Sequence, residues 1–250
     1  MRAGRSAAPV MSSVRWLLLS ILAWEFVAVI RPHGPATTGS WPINPFDLLV
    51  MVVMPGLTAF ALVRLFLAAV QSGFGSLNTY TLTSSPWAWA FWLGLAVAMV
   101  GHGEHVGADI LHRSLPTAIA HGDFAKQVEF FDIQLGHRLF GLGFVVTTAV
   151  ILFVGQGASR RVIGMERPLL VVGSLLTYGF TFVYLGIAGE QIVPAILGSG
   201  LLVGLSVWVL PPGEATYDPI WLLVLPGTAI AGIVLLAWGL VVGGQPTWPF

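Results

Sequence analysis

Apolar residues along the chain come in seven long blocks, at roughly 15–31, 46–70, 87–112, 128–154, 168–188, 190–210 and 219–243. Each is close to the roughly 20 residues that carry a helix across a bilayer. The blocks are continuously apolar and lack the period-two alternation of a membrane barrel strand. In hydrocarbon every backbone N–H and C=O must be paired within the protein, and an unbroken apolar block achieves this as a helix. The pattern predicts an all-α fold: a polytopic transmembrane helix bundle of about seven spans, making one integral membrane domain over residues 1–250.

Punctuation refines this reading. Turn-rich stretches at 32–45 and 211–219 precede blocks two and seven. Blocks five and six are parted only by Gly189, Glu190 and Gln191, which predicts either a tight helical hairpin with solvated turn residues or one interrupted span. Pro55, Pro194 and Pro226 fall within blocks and are expected to kink them. Gly200-x-x-x-Gly204 and the glycines of 136–143 are expected to permit close helix approach. Arg2, Arg5 and Arg15 flank the first block as in a signal peptide, but the block continues through Trp24 and Glu25 to Ile30 without a small-residue cleavage site. It reads as an uncleaved first span.

Arg and Lys favour the cytoplasmic side of a membrane. With seven spans, the basic tail and the segment bearing Arg160, Arg161 and Arg167 fall on one side. The expected orientation is N-terminus cytoplasmic and C-terminus outside.

Composition agrees with a bilayer protein. Hydrophobic residues make up 56% and charged residues 9%, against about 25% charged in soluble domains. The formal net charge is zero, so no basic patch points to nucleic acid. The chain has no cysteine, which excludes disulfides, thiolate metal sites, iron–sulfur clusters and cysteine nucleophiles. The expected surroundings are the lipid bilayer of a cell membrane.

The ionisable residues are concentrated. Residues 101–113 hold His102, Glu104, His105, Asp109 and His112 at the end of block three, on the expected outer side. At 100° per residue, His102, His105, Asp109 and His112 fall within roughly 80° of one another, on one stripe, with Glu104 opposite. Block four supplies Glu129, Asp132 and His137, spread over roughly 140°. The loop between adds His121 and Asp123. Ionisable groups within a span face the bundle interior or a water-filled cavity.

Imidazole and carboxylate together suit a divalent transition metal: Zn, Fe, Mn or Cu. The expected ligands are His102, His105, Asp109, His112 and His137, with Glu129 and Asp132 as catalytic carboxylates. No HExxH signature is present, since Glu104 directly precedes His105. The function that follows is a metal-dependent membrane enzyme, a hydrolase or an oxidase, acting on a lipid or another membrane-accessible substrate. Two alternatives remain open: a transporter or proton- or metal-handling protein, or b-type haem ligation by His105 and His137. Glu25 either lines the same cavity or faces water, and Trp24 reads as an interfacial anchor.

Overall fold

The computed structural model describes residues 8–30, 45–74, 84–114, 122–156, 162, 164–209 and 218–242. His33, Trp41, Thr117, His121 and Trp248 lie outside the described residues. All seven predicted blocks lie on helices, in the order α1 (Ala8–Ile30), α2 (Pro45–Leu48), α3 (Met54–Phe74), α4 (Pro86–Ser114), α5 (Asp123–Glu129), α6 (His137–Val154), α7 (Glu166–Ser174), α8 (Phe180–Ile187), α9 (Ile192–Val209) and α10 (Pro219–Val242). Three π-helical turns join consecutive helices end to end: Leu49–Val53, Phe130–Gly136 and Leu175–Gly179. The fold is an all-α helical bundle.

Six helical stretches among the described residues are long and apolar enough to cross a membrane. The one block outside that set is α4, although its 29 residues extend about 43 Å. Three tryptophans at its start and the polar stripe at its end dilute its hydropathy. The helix is longer than the roughly 20 residues needed to cross a hydrocarbon core. Trp87, Trp89 and Trp92 stand at one end of α4, and the polar stripe from His102 to Arg113 stands at the other.

The bundle forms around one closely packed crossing. Helix α4 packs along α6 and the π turn before it. A Cβ on Gly101 would sit 2.3 Å from the Phe140 nitrogen and 2.7 Å from the Gly136 oxygen, and one on Gly143 would sit 2.2 Å from the Ala98 nitrogen. The two backbones therefore touch, which only glycine permits. Without a hydrophobic drive between helices in lipid, such contact of small residues holds spans together. Around it, α1 packs on α3, α9 on α6 and α10, and α10 on α7 and α8. Phe66 stacks on Phe91 with ring centroids 4.2 Å apart, and the Tyr178 hydroxyl meets Thr148 Oγ1 at 3.3 Å in the core.

Three expectations change. Gly200 and Gly204 face open space, so they make no helix contact; the close approach belongs to the 136–143 glycines. Pro194 is the third residue of α9, where no intrahelical N–H partner is lost, so it starts a helix and does not interrupt one. Pro226 does lie inside α10, and Gly227 beside it donates its N–H to Ser174 Oγ at 2.8 Å. The predicted hairpin is present: α8 ends at Ile187, α9 begins at Ile192, and the two pack together. Its turn is not solvated throughout, however, because Gln191 is buried.

The crossing is directly testable. Gly143→Ala and Gly101→Ala should each cost about 1–3 kcal/mol, the range for overpacking a filled site. Gly204→Ala should be neutral. Thermal unfolding of the detergent-solubilised variants reads the difference; equal melting temperatures would mean the helices do not meet as described.

Candidate metal centre

The polar stripe of α4 divides its labour. His102, the first of the stripe, is tied to the π turn between α2 and α3. Pro55 has no N–H, and the Met54 N–H turns back to the Leu49 carbonyl. The Val50 carbonyl is thus deprived of its helical donors, and His102 Nε2–H donates to it at 2.8 Å. An unpaired backbone group in hydrocarbon costs several kcal/mol, so His102 is placed to stabilise the fold. The Trp24 ring packs edge-on against it at 4.5 Å and also meets Phe140. Trp24, half-buried, lines the cavity beside His102.

One turn on, His105 Nδ1 contacts Asp132 Oδ1 across the helix crossing. Gly136 lets this happen, because a Cβ there would sit 2.8 Å from the His105 nitrogen. Asp132 and His137 are five residues apart and would diverge by about 140° on an α-helix. The π turn Phe130–Gly136 lies between them, and i to i+5 bonding brings residues five apart onto one face. One ligand atom from each of His105, Asp132 and His137 lies within 4.8 Å of the other two.

His137 is 6% exposed. Its Nδ1–H donates to the Ile133 carbonyl at 3.3 Å, an oxygen that also accepts from Gln191 Nε2 at 3.3 Å. Gln191 Oε1 in turn accepts from Arg138 Nε at 2.9 Å, and Arg138 Nη2 reaches Gln134 Oε1 at 2.6 Å. The ring lies against Gly189, where a Cβ would be 3.0 Å from it, and the next residue, Glu190, takes a left-handed φ of 53°. With the proton on Nδ1, the lone pair is on Nε2, and that atom is buried with no hydrogen-bond partner. The His105 and His137 ring centroids are 4.2 Å apart.

Both imidazoles line a cavity of about 510 Å³ enclosed by α1, α3, α4, α6 and α8. This is within the range of small-molecule sites, about 300–1,000 Å³. Its walls are largely apolar, with Ile21, Leu62, Met99, Phe144, Phe180 and Leu185 among them. Glu25 lines it as well, with the Thr181 hydroxyl 3.5 Å from its carboxylate.

Of the residues singled out by sequence, the structure brings together His105, Asp132 and His137. It leaves the others elsewhere. His102 serves the Val50 carbonyl, Asp109 pairs with Arg113 at 3.4 Å, and His112 and Glu129 are exposed. Asp123 is exposed beside Lys126. In this arrangement the His105 and His137 rings, with centroids 4.2 Å apart, leave no room for a porphyrin plane between them. Arg113 is a residue that sequence reading passed over, and Gln191, read from sequence as a solvated turn residue, is buried and bonded to the Ile133 carbonyl beside His137. The signal for Gln191 was a polar residue in a turn too short to leave the bundle.

The chain matches no family model, no curated protein and no solved structure.

The division of roles within the stripe has a measurable consequence. His102→Phe should lower stability by about 1–3 kcal/mol, the cost of a buried acceptor left unpaired, while the exposed His112→Ala should leave the melting temperature unchanged.

Proposed function

We propose that this multi-pass membrane protein holds a divalent transition metal at His105, Asp132 and His137 and acts through it on a membrane-soluble substrate bound in the adjoining cavity. The observation that carries this reading is His137 Nε2, buried and without a partner, on a ring 4.2 Å from that of His105. An unpaired buried nitrogen is costly. A metal would satisfy it, and the Nδ1–H bond to a backbone carbonyl is the support that metal-binding histidines ordinarily have. Asp132 would complete the set as third ligand or would orient His105 through its Nδ1–H.

Two imidazoles and a carboxylate are the donors found around both catalytic Zn²⁺ and non-haem Fe²⁺, with positions left for water and substrate. The metal would act as a Lewis acid or redox centre, and its identity separates hydrolysis from oxidation. This chain's own contribution would be to hold the centre rigidly at the crossing, to seat an apolar substrate beside it, and to exclude bulk water. Glu129, exposed on α5, has no part in this reading.

Positive-inside asymmetry would put the centre on the extracytoplasmic side of the cell membrane. The chain's lack of cysteine makes this easy to check. Single cysteines at Asp123 and at the exposed Met165 should react with an impermeant maleimide from opposite sides, Asp123→Cys from outside. The reverse pattern would invert the topology.

The metal itself is tested by elemental analysis of the protein purified in detergent. About one equivalent of Zn, Fe, Mn or Cu per chain is expected, lost in His105→Ala and His137→Ala and retained in Asp109→Asn. Gln191→Leu should weaken binding by about 10–100-fold, as loss of a supporting hydrogen bond does. A wild-type protein that stays metal-free after reconstitution with each ion would refute the proposal.

A further inference from the structure

Arg138 follows His137 at the start of α6 and is exposed on the surface of the bundle. Its Nε donates to Gln191 Oε1 at 2.9 Å and its Nη2 to Gln134 Oε1 at 2.6 Å. Both acceptors are neutral amides. Arg15, Arg113 and Lys126 each pair with a carboxylate, whereas Arg138 pairs with none among the described residues. The two glutamines fix the plane of the guanidinium. Its other N–H groups, on Nη1 and Nη2, have no acceptor among the described residues.

The contact with Gln191 also sets the depth of Arg138, because Gln191 stands in the α8–α9 turn. The 18 residues of α9 that follow include no ionisable side chain and extend about 27 Å. A hydrocarbon core is about 30 Å thick, so the turn and Arg138 belong near one of its boundaries. A groove of about 260 Å³ lies between α6 and α9, and Arg138 lines it. Gly141, Leu142, Val145, Leu197, Gly198 and Leu201 line it as well, with the four leucine and valine side chains making it apolar. A Cβ on Gly198 would sit 2.9 Å from Val145, so residues 145 and 198 meet as residues 138 and 191 do. The two helices therefore run parallel from the level of the guanidinium, and the groove leads from it along the apolar part of both. From Arg138 to Val145 each helix advances about 10 Å.

We propose that this groove binds one phospholipid of the surrounding bilayer, with its phosphate accepting from the Arg138 guanidinium and an acyl chain lying between α6 and α9. A phosphate diester carries one negative charge and presents oxygens that match the planar fork of an arginine. That charge balances a cation which the protein leaves without an acid, at a depth where an unbalanced charge is costly. A neutral lipid fills the groove equally well but leaves the cation uncompensated. The groove is distinct from the 510 Å³ cavity, and lipid binding there needs no metal.

The test is native mass spectrometry of the delipidated full-length protein, titrated with equal amounts of dioleoylphosphatidylglycerol and dioleoylglycerol. The two lipids share their chains and differ only in the phosphoglycerol head. The wild-type protein should retain the phospholipid in preference to the neutral lipid by about tenfold or more, the scale of one charge-assisted hydrogen bond. Arg138→Gln should lower retention of the phospholipid by a similar factor and leave that of dioleoylglycerol unchanged. Phosphatidylglycerol bearing a diazirine in one acyl chain locates the site on the wild-type protein, so this arm decides even where the variant does not fold. Its adducts should map to the peptide that carries Leu197 and Leu201. Equal retention of the two lipids by the wild type, undiminished phospholipid retention by a folded Arg138→Gln, or adducts confined to exposed positions of α10 such as Leu240 would each overturn the proposal.

Discussion

The contact of two backbones at the crossing of α4 and α6 is the constraint on which the rest depends. Gly101 and Gly143 bring the main chains together without intervening side chains. At that separation a side chain on one helix reaches the other helix's turn directly, so His105 meets Asp132 and His137 without spanning a gap. A larger residue at either glycine would push the helices apart and dissolve the cluster before any ligand was touched. Packing and chemistry here are one arrangement.

Helix irregularity does the remaining work. In lipid a carbonyl that loses its helical donor must find another, and at two of the three π turns a carbonyl accepts from a side chain. At Leu49–Val53 the freed carbonyl fixes His102. At Phe130–Gly136 the Ile133 carbonyl accepts from His137 and Gln191, which sets the histidine's tautomer and anchors the α8–α9 turn beneath it. Polar groups that would be expensive in a regular span are paid for by the backbone groups that the irregularity releases. The result is a centre with one unpaired nitrogen, next to a cavity that is apolar elsewhere.

The helices were legible in the sequence because long apolar blocks have only one way to satisfy their backbone in a membrane. Even the short break at Gly189–Gln191 was readable as a hairpin. The histidine stripe on α4 was readable too, since that helix is regular and 100° per residue applies. The partner helix was not. An α-helical wheel scatters Glu129, Asp132 and His137, and only the π turn brings the last two onto one face while leaving Glu129 outside. No residue in 130–136 announces that turn. Within the stripe, periodicity shows which residues share a face but not what each one meets. His102 and Asp109 share the face of His105, yet one serves the carbonyl that Pro55 leaves unpaired and the other pairs with Arg113. Gly94 and Gly101, seven residues apart and matched by Gly136 and Gly143, mark the crossing in retrospect. The overlapping Gly200-x-x-x-Gly204 pattern, which looks more familiar, faces open space.

The central claim is that the crossing assembles a metal centre from two imidazoles on facing helices. X-ray absorption at the edge of the bound metal, measured on the purified protein, tests it most directly. The account predicts a first shell of nitrogen and oxygen with the multiple scattering of about two imidazoles, and loss of the metal edge in His137→Ala. A shell with no imidazole, or one unchanged in that variant, would contradict it.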